Sequence, residues 1–288
     1  MVGLCLRASV VLGFIASLSI APTTPAQQLN QRAQLANIST RMLVGAGDNA
    51  LIGGLIVTGN QPKKVILRAI GPSLSEGGVS GALQDPTLEL FKGDESIAKN
   101  DDWRSSQEAE IEASTIPPSD AREAAIVATL EPNASYTAVM RGSGDSTGIG
   151  LVEVYDLDTG ADSKLANIAT RGLVQTGGNV MIAGMIVVGD AGSSRKVVVR
   201  AIGPTLTVNG RMADPTLELV DGNGVVVRSN DNWRTNQQAE IQATGVAPGD
   251  DRESALVETL TPGNYTATVR GAGGATGVAV VEIYALSN

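Results

Sequence analysis

The chain has 288 residues and a formal net charge of −9, with 42% hydrophobic but only 3% aromatic residues. That length allows about two domains, and any core must be built from Val, Ile, Leu and Ala. Histidine is absent and the one cysteine is Cys5, which excludes histidine general bases, Ser-His-Asp and Cys-His catalysis and histidine-ligated metals, while the acidic balance argues against nucleic acid as a partner.

Arg7 precedes an apolar run over 8–20. The run is about 13 residues long, the length of a secretory h-region and too short for the ~20 residues of a membrane span. Thr24-Pro25-Ala26 then supplies small residues for signal peptidase. The expectation is a signal peptide over 1–26, a linker over 27–34 and an exported chain without a membrane span. Cys5 leaves with the leader, so no thiol or disulfide remains.

The body is one unit written twice. Leu35-Ala-Asn-Ile-Ser-Thr-Arg41 recurs as Leu165-Ala-Asn-Ile-Ala-Thr-Arg171, and Arg68-Ala-Ile-Gly-Pro-Ser-Leu74 as Arg200-Ala-Ile-Gly-Pro-Thr-Leu206. Asp85-Pro-Thr-Leu-Glu-Leu90, Asn100-Asp-Asp-Trp-Arg104 and Ala109-Glu-Ile-Glu-Ala113 return near 214, 230 and 239. Tyr136-Thr-Ala-Val-Met-Arg-Gly142 and Val152-Glu-Val-Tyr155 return near 265 and 281. The expected organisation is a repeat over 35–160 and a second over 161–288. The charge is not duplicated. Residues 35–164 hold 10 basic and 19 acidic side chains, and residues 165–288 hold 9 and 11.

In chain order, 51–58 and 64–70 are short apolar runs rich in β-branched residues and bounded by Gly and Pro, which predicts strands. Residues 87–91 alternate as a half-buried strand does, and 124–130 is a further strand. Good helix formers with Ser or Thr ahead of them predict a short helix over 105–114 and again over 235–244. Residues 261–264 form a tight turn into a strand over 265–270, and 278–285 closes the second copy. The pattern predicts an all-β fold: two tandem β-sandwich, jelly-roll-like domains of about eight strands, each with one short helix.

This order of motifs resembles a tandem repeat module of exported bacterial proteins. The later half of each copy is also similar to the pre-peptidase C-terminal type of β-sandwich. The first resemblance covers nearly all of 35–288. It implies an accessory β-sandwich pair and brings no catalytic residue with it.

Three sets of residues merit scrutiny. Arg68, Glu89, Arg141 and Glu153, with Arg200, Glu218, Arg270 and Glu282, interrupt apolar strands at duplicated positions. They suggest a structural ion-pair cluster on one sheet face. The alternative, Glu89 and Glu153 as a glycosidase-like carboxylate pair, suffers because a neighbouring arginine holds a carboxylate ionised, the wrong state for a general acid. Asp101, Asp102 and Asp231 are candidate calcium ligands in oxygen-rich triplets, although Asx residues also make turns through their own backbone. Trp103 and Trp233, the only tryptophans, are either core anchors or a platform for sugar rings.

These features lead to an exported, non-catalytic structural or adhesive protein of the cell envelope or secreted matrix, extracellular or periplasmic. Its partner would be an envelope or matrix protein or a polysaccharide. No cofactor is expected, calcium aside. The rival expectation is a polysaccharide-binding module assisted by calcium.

Overall fold

The structure, a computed structural model, describes residues 33–286. The expected signal peptide (1–26) and all but the end of the linker (27–34) lie outside the described residues. The first repeat supplies β1 (Gln34–Val44), β2 (Leu51–Thr58), β3 (Lys63–Ile70), β4 (Pro86–Lys92), β5 (Glu95–Asn100), α1 (Glu108–Ala113), β6 (Ala124–Leu130), β7 (Ala134–Gly142) and β8 (Gly148–Asp156). The second supplies β9 (Lys164–Val174), β10 (Met181–Val188), β11 (Arg195–Ile202), β12 (Pro215–Asp221), β13 (Val226–Asn230), α2 (Gln238–Ala243), β14 (Ser254–Leu260), β15 (Gly263–Gly271) and β16 (Gly277–Ala285). The described residues are all-β apart from these two short helices and a few 3₁₀ turns.

Strands pair antiparallel in two long runs. One is β5-β4-β7-β2-β9-β16-β11-β14. The other is β13-β12-β15-β10-β1-β8-β3-β6. A bridge between Leu43 of β1 and Leu173 of β9 joins them. Each run takes four strands from each repeat. The first strand of a repeat lies between the last strand of its own repeat and the second strand of the other. Exchanging the repeats converts one run into the other, so the molecule has a pseudo-two-fold axis.

The sequence leads one to expect separate tandem domains over 35–160 and 161–288. Instead the described residues belong to one compact unit, knitted by β1–β10 and β2–β9 pairing. Alternation fixes which face of a strand is buried, not which strand lies beside it. A repeat taken alone leaves β1 and β2 with open edges, and the other repeat closes them.

The inward faces build one aliphatic core. Leu51, Leu55 and Val57 of β2 share it with Leu88 and Leu90 of β4, Val152 and Val154 of β8, and the corresponding residues of the second repeat. Burying each such side chain contributes roughly 1.5–3 kcal/mol.

A smaller apolar cluster covers the outer face of β3 and β6. Trp103, Ile111, Ile66, Ala125 and Val127 form it, and Trp233, Ile241, Val198, Ala255 and Val257 repeat it. Ile111 and Ile241 are the only buried side chains of their helices. The helices are shorter than expected because each begins after a left-handed glutamine, Gln107 or Gln237 (φ 55°). The Gln107 side chain donates to the Val127 carbonyl at 2.9 Å and accepts from the Val127 N–H at 3.2 Å. It thus imitates a neighbouring strand along the open edge of β6. Among the described residues no helix is long and apolar enough to cross a membrane.

Candidate functional site

The recurring motifs can be followed residue by residue. In R-A-I-G-P-[ST]-L, the backbone N–H groups of Gly71 (3.1 Å) and Ser73 (3.0 Å) and the Ser73 hydroxyl (2.5 Å) all donate to Glu123 Oε1. Pro72, which has no N–H to orphan, sits between the two donors. A Cβ at Gly71 would run into the Leu83 carbonyl, so only glycine fits. Gly203, Thr205 and Glu253 repeat the clamp at 3.2, 3.0 and 2.5 Å. Glu123 and Glu253 are fully buried. They are absent from the candidates drawn from sequence, although Asp120-Ala-Arg-Glu123 returning as Asp250-Asp-Arg-Glu253 is the signal that marks them.

In N-D-[DN]-W-R, Asn100 donates to the Asp102 carbonyl (3.0 Å) and accepts from Ala125 N–H (3.0 Å). Asn230 repeats both bonds at 3.1 Å. The asparagine is therefore the hub of a turn. Asp101, Asp102 and Asp231 are exposed on it. Burial, then the charges of Asp85 and Asp102, push the Asp101 carboxyl up. Burial and Asp231 do the same to Asp214. Carboxylates thus come near one another, yet among the described residues no group of three or more acidic side chains is arranged to hold a metal ion. Calcium takes about 6–8 oxygens, so these side chains alone do not make its shell.

Trp103 and Trp233 are each 2% exposed. Their indole N–H groups donate to the carbonyls of Asp120 (3.2 Å) and Asp250 (3.1 Å). The Arg104 and Arg234 guanidinium groups lie 4.1 and 4.3 Å from the ring centroids. Helix, sheet and arginine leave no ring face for a sugar. Of the two roles expected of the tryptophans, this burial corrects the sugar platform and leaves the core anchor, because filling the small outer cluster requires them inside.

The eight charged residues expected in one cluster separate into local pairs on the two strand runs. Arg68 on β3 sits opposite Glu153 on β8 and donates to it from Nε at 3.0 Å and from Nη2. Tyr155 donates to the other oxygen of Glu153 at 3.0 Å, and Arg68 also reaches the Ile116 carbonyl at 2.9 Å. Arg200, Glu282 and Tyr284 repeat the triad, with Arg200 Nε 2.8 Å and Tyr284 Oη 3.1 Å from Glu282. Burial and the adjacent Glu153 charge push Tyr155 up to about 12, and Tyr284 moves in the same direction for the same reasons.

Glu89 and Arg141 lie in the other run, on β4 and β7. Lys99 bonds Glu89 at 2.8 Å and holds its carboxyl below the usual range. In the second repeat Glu218 pairs with Arg270 at 3.6 Å instead. Glu89 and Glu153, the alternative acid–base pair, therefore stand on different strand runs, each with its own cation.

Away from these motifs, an open groove of about 590 Å³ crosses the junction of the repeats. Arg141 comes to it from the first repeat and Arg171 from the second. No protein-family model matches the chain, and no curated protein matches it significantly.

Proposed function

We propose that this is an exported, non-catalytic structural or adhesive protein of the cell envelope or secreted matrix. One observation carries this proposal: the buried polar residues that recur in both repeats are engaged in holding the fold. Glu123 clamps a turn, Glu153 is held by Arg68 and Tyr155, Asn100 organises a loop and Trp103 fills a core. A duplicated active site would leave recurring carboxylates free to exchange protons. A rigid body with two related faces suits repeated surface contact, in which a second contact gains from the effective concentration set by the first. The likeness to tandem β-sandwich modules of exported bacterial proteins agrees with this role.

The second proposal is a polysaccharide-binding module, with or without calcium. It is favoured by the junction groove, whose volume falls within the ~300–1,000 Å³ of ligand sites. The experiment is retention of the purified protein on native envelope fragments and on insoluble polysaccharides, with calcium and with a chelator, alongside fractionation of the producing cells. Retention on envelope from an exported protein supports the adhesive role. Retention on one purified glycan alone supports the module. Recovery in the cytoplasm defeats both.

A further inference from the structure

We propose that the junction groove binds an acidic saccharide, with Arg141 and Arg171 holding its oxyanion. For its biological setting this rests on the adhesive role above. The site exists only because the repeats exchange strands. Arg171 belongs to β9, yet it sits opposite Ile52 of β2 in the other repeat. That pairing carries it to the groove where Arg141, on β7 beside β2, is also exposed.

Both guanidinium groups are available. Among the described residues the Arg171 side chain makes no hydrogen bond or ion pair. Arg141 has no ion-pair contact either; its charge reaches Glu89 only through space, because Lys99 already binds that carboxylate. The second repeat shows the alternative. Ser229 stands opposite Glu218 where Lys99 stands opposite Glu89, and there Arg270 turns to the glutamate. The pseudo-symmetric pair, Arg41 and Arg270, is therefore not released in the same way.

Arginine recognises carboxylate and sulfate by paired N–H donors. The remaining lining suits a sugar. Asn49, Asn209 and Thr207 present amide and hydroxyl groups to ring hydroxyls, Ile52 and Val278 give an apolar floor, and Asp48 at the edge is a hydroxyl acceptor that leaves the site net positive.

The test is calorimetric titration of the purified protein with a polyuronate, a sulfated polysaccharide and a neutral glucan. Binding of at least one acidic polymer, weakened by salt, and none of the neutral one, is expected. The polymer that binds identifies the oxyanion. Arg141→Gln and Arg171→Gln should each weaken binding about tenfold or more, whereas Arg41→Gln should leave it unchanged. Should Arg171→Gln fail to fold, Asn209→Trp on its exposed loop fills the groove and should abolish binding. The proposal is overturned if neither acidic polymer binds, if the neutral glucan binds equally, or if the variants bind like the parent. Envelope retention by a protein that binds neither acidic polymer would sink the groove and spare the adhesive role. Polymer binding without envelope retention would do the reverse.

Discussion

The hydroxyls of Thr40 and Thr170 hydrogen-bond to each other at 2.8 Å in the buried centre of the molecule. The two residues hold the same place in the two repeats, so the bond lies on the pseudo-two-fold axis. One hydroxyl donates and the other accepts. Thr40→Val should therefore strand Thr170 and cost about 1–3 kcal/mol, as should Thr170→Val. The double variant removes both polar groups and should cost less than the sum of the singles. Urea unfolding of the three variants measures this, and strictly additive losses would show that the bond couples nothing.

Beside that axis the repeats differ in a complementary way. Met42 and Gly172 are equivalent positions, and they meet: a Cβ built on Gly172 would overlap the Sδ and Cε of Met42. Met42 is 1% exposed. Two methionines would collide here and two glycines would leave a void. Met42→Ala should cost about 2–5 kcal/mol through the cavity it opens. Gly172→Ala should cost about 1–3 kcal/mol through overpacking. The two changes together should be less harmful than their sum, because the smaller side chain at 42 makes room for the new methyl group. A double-mutant cycle in which Gly172→Ala is equally costly with and without Met42 would contradict the packing described.

Much of this fold is legible in the sequence, for physical reasons that also mark where legibility ends. Alternation and β-branching locate strands such as β2 and β6 to the residue, because burial of one face is written locally. The helix boundaries are less legible, since Gln107 starts α1 through a side chain bonded to a distant strand rather than through a serine cap. The exchange of β1 and β9 between repeats leaves no local trace, because β2 is equally apolar whichever neighbour it has. The same holds for the site. Arg68–Glu153 pairing follows from charges interrupting neighbouring strands. The Arg141–Arg171 groove needs the exchange to be known first, and its vacancy for a ligand turns on a single difference, Lys99 against Ser229.

Lys63 and Asp156 form an ion pair at 2.9 Å with side chains 0% and 1% exposed. Lys63 also donates to the Asp158 carbonyl at 2.5 Å. The second repeat has Arg195 and Ala285 at these places, so no carboxylate stands where Asp156 does. Removing one partner of a buried pair leaves the other charge without compensation, at a cost of about 3–5 kcal/mol. Asp156→Ala should thus be far more damaging than Lys63→Met/Asp156→Leu, which removes both charges. Thermal unfolding of the two proteins distinguishes them, and equal losses would mean that side-chain volume rather than charge governs the site.

Tyr155 makes stability sensitive to alkali. Its ordinary value is 10.0, and in the folded protein burial and then the Glu153 charge raise it to about 12. The folded state therefore holds the phenolic proton after the unfolded chain has released it. The stabilisation is complete below pH 10 and is lost as pH rises through 12. Tyr155 is only half-buried, so solvent moderates the effect. Tyr155→Phe also deletes a hydrogen bond to Glu153, which lowers stability at every pH. The diagnostic quantity is thus the slope of the urea midpoint between pH 10 and 12, not its level. That slope should be shallower in Tyr155→Phe than in the parent. It should flatten further when Tyr284, shifted in the same direction, is also replaced by phenylalanine. An unchanged slope in the double variant would assign the alkaline loss to other groups and remove the two tyrosines from its cause.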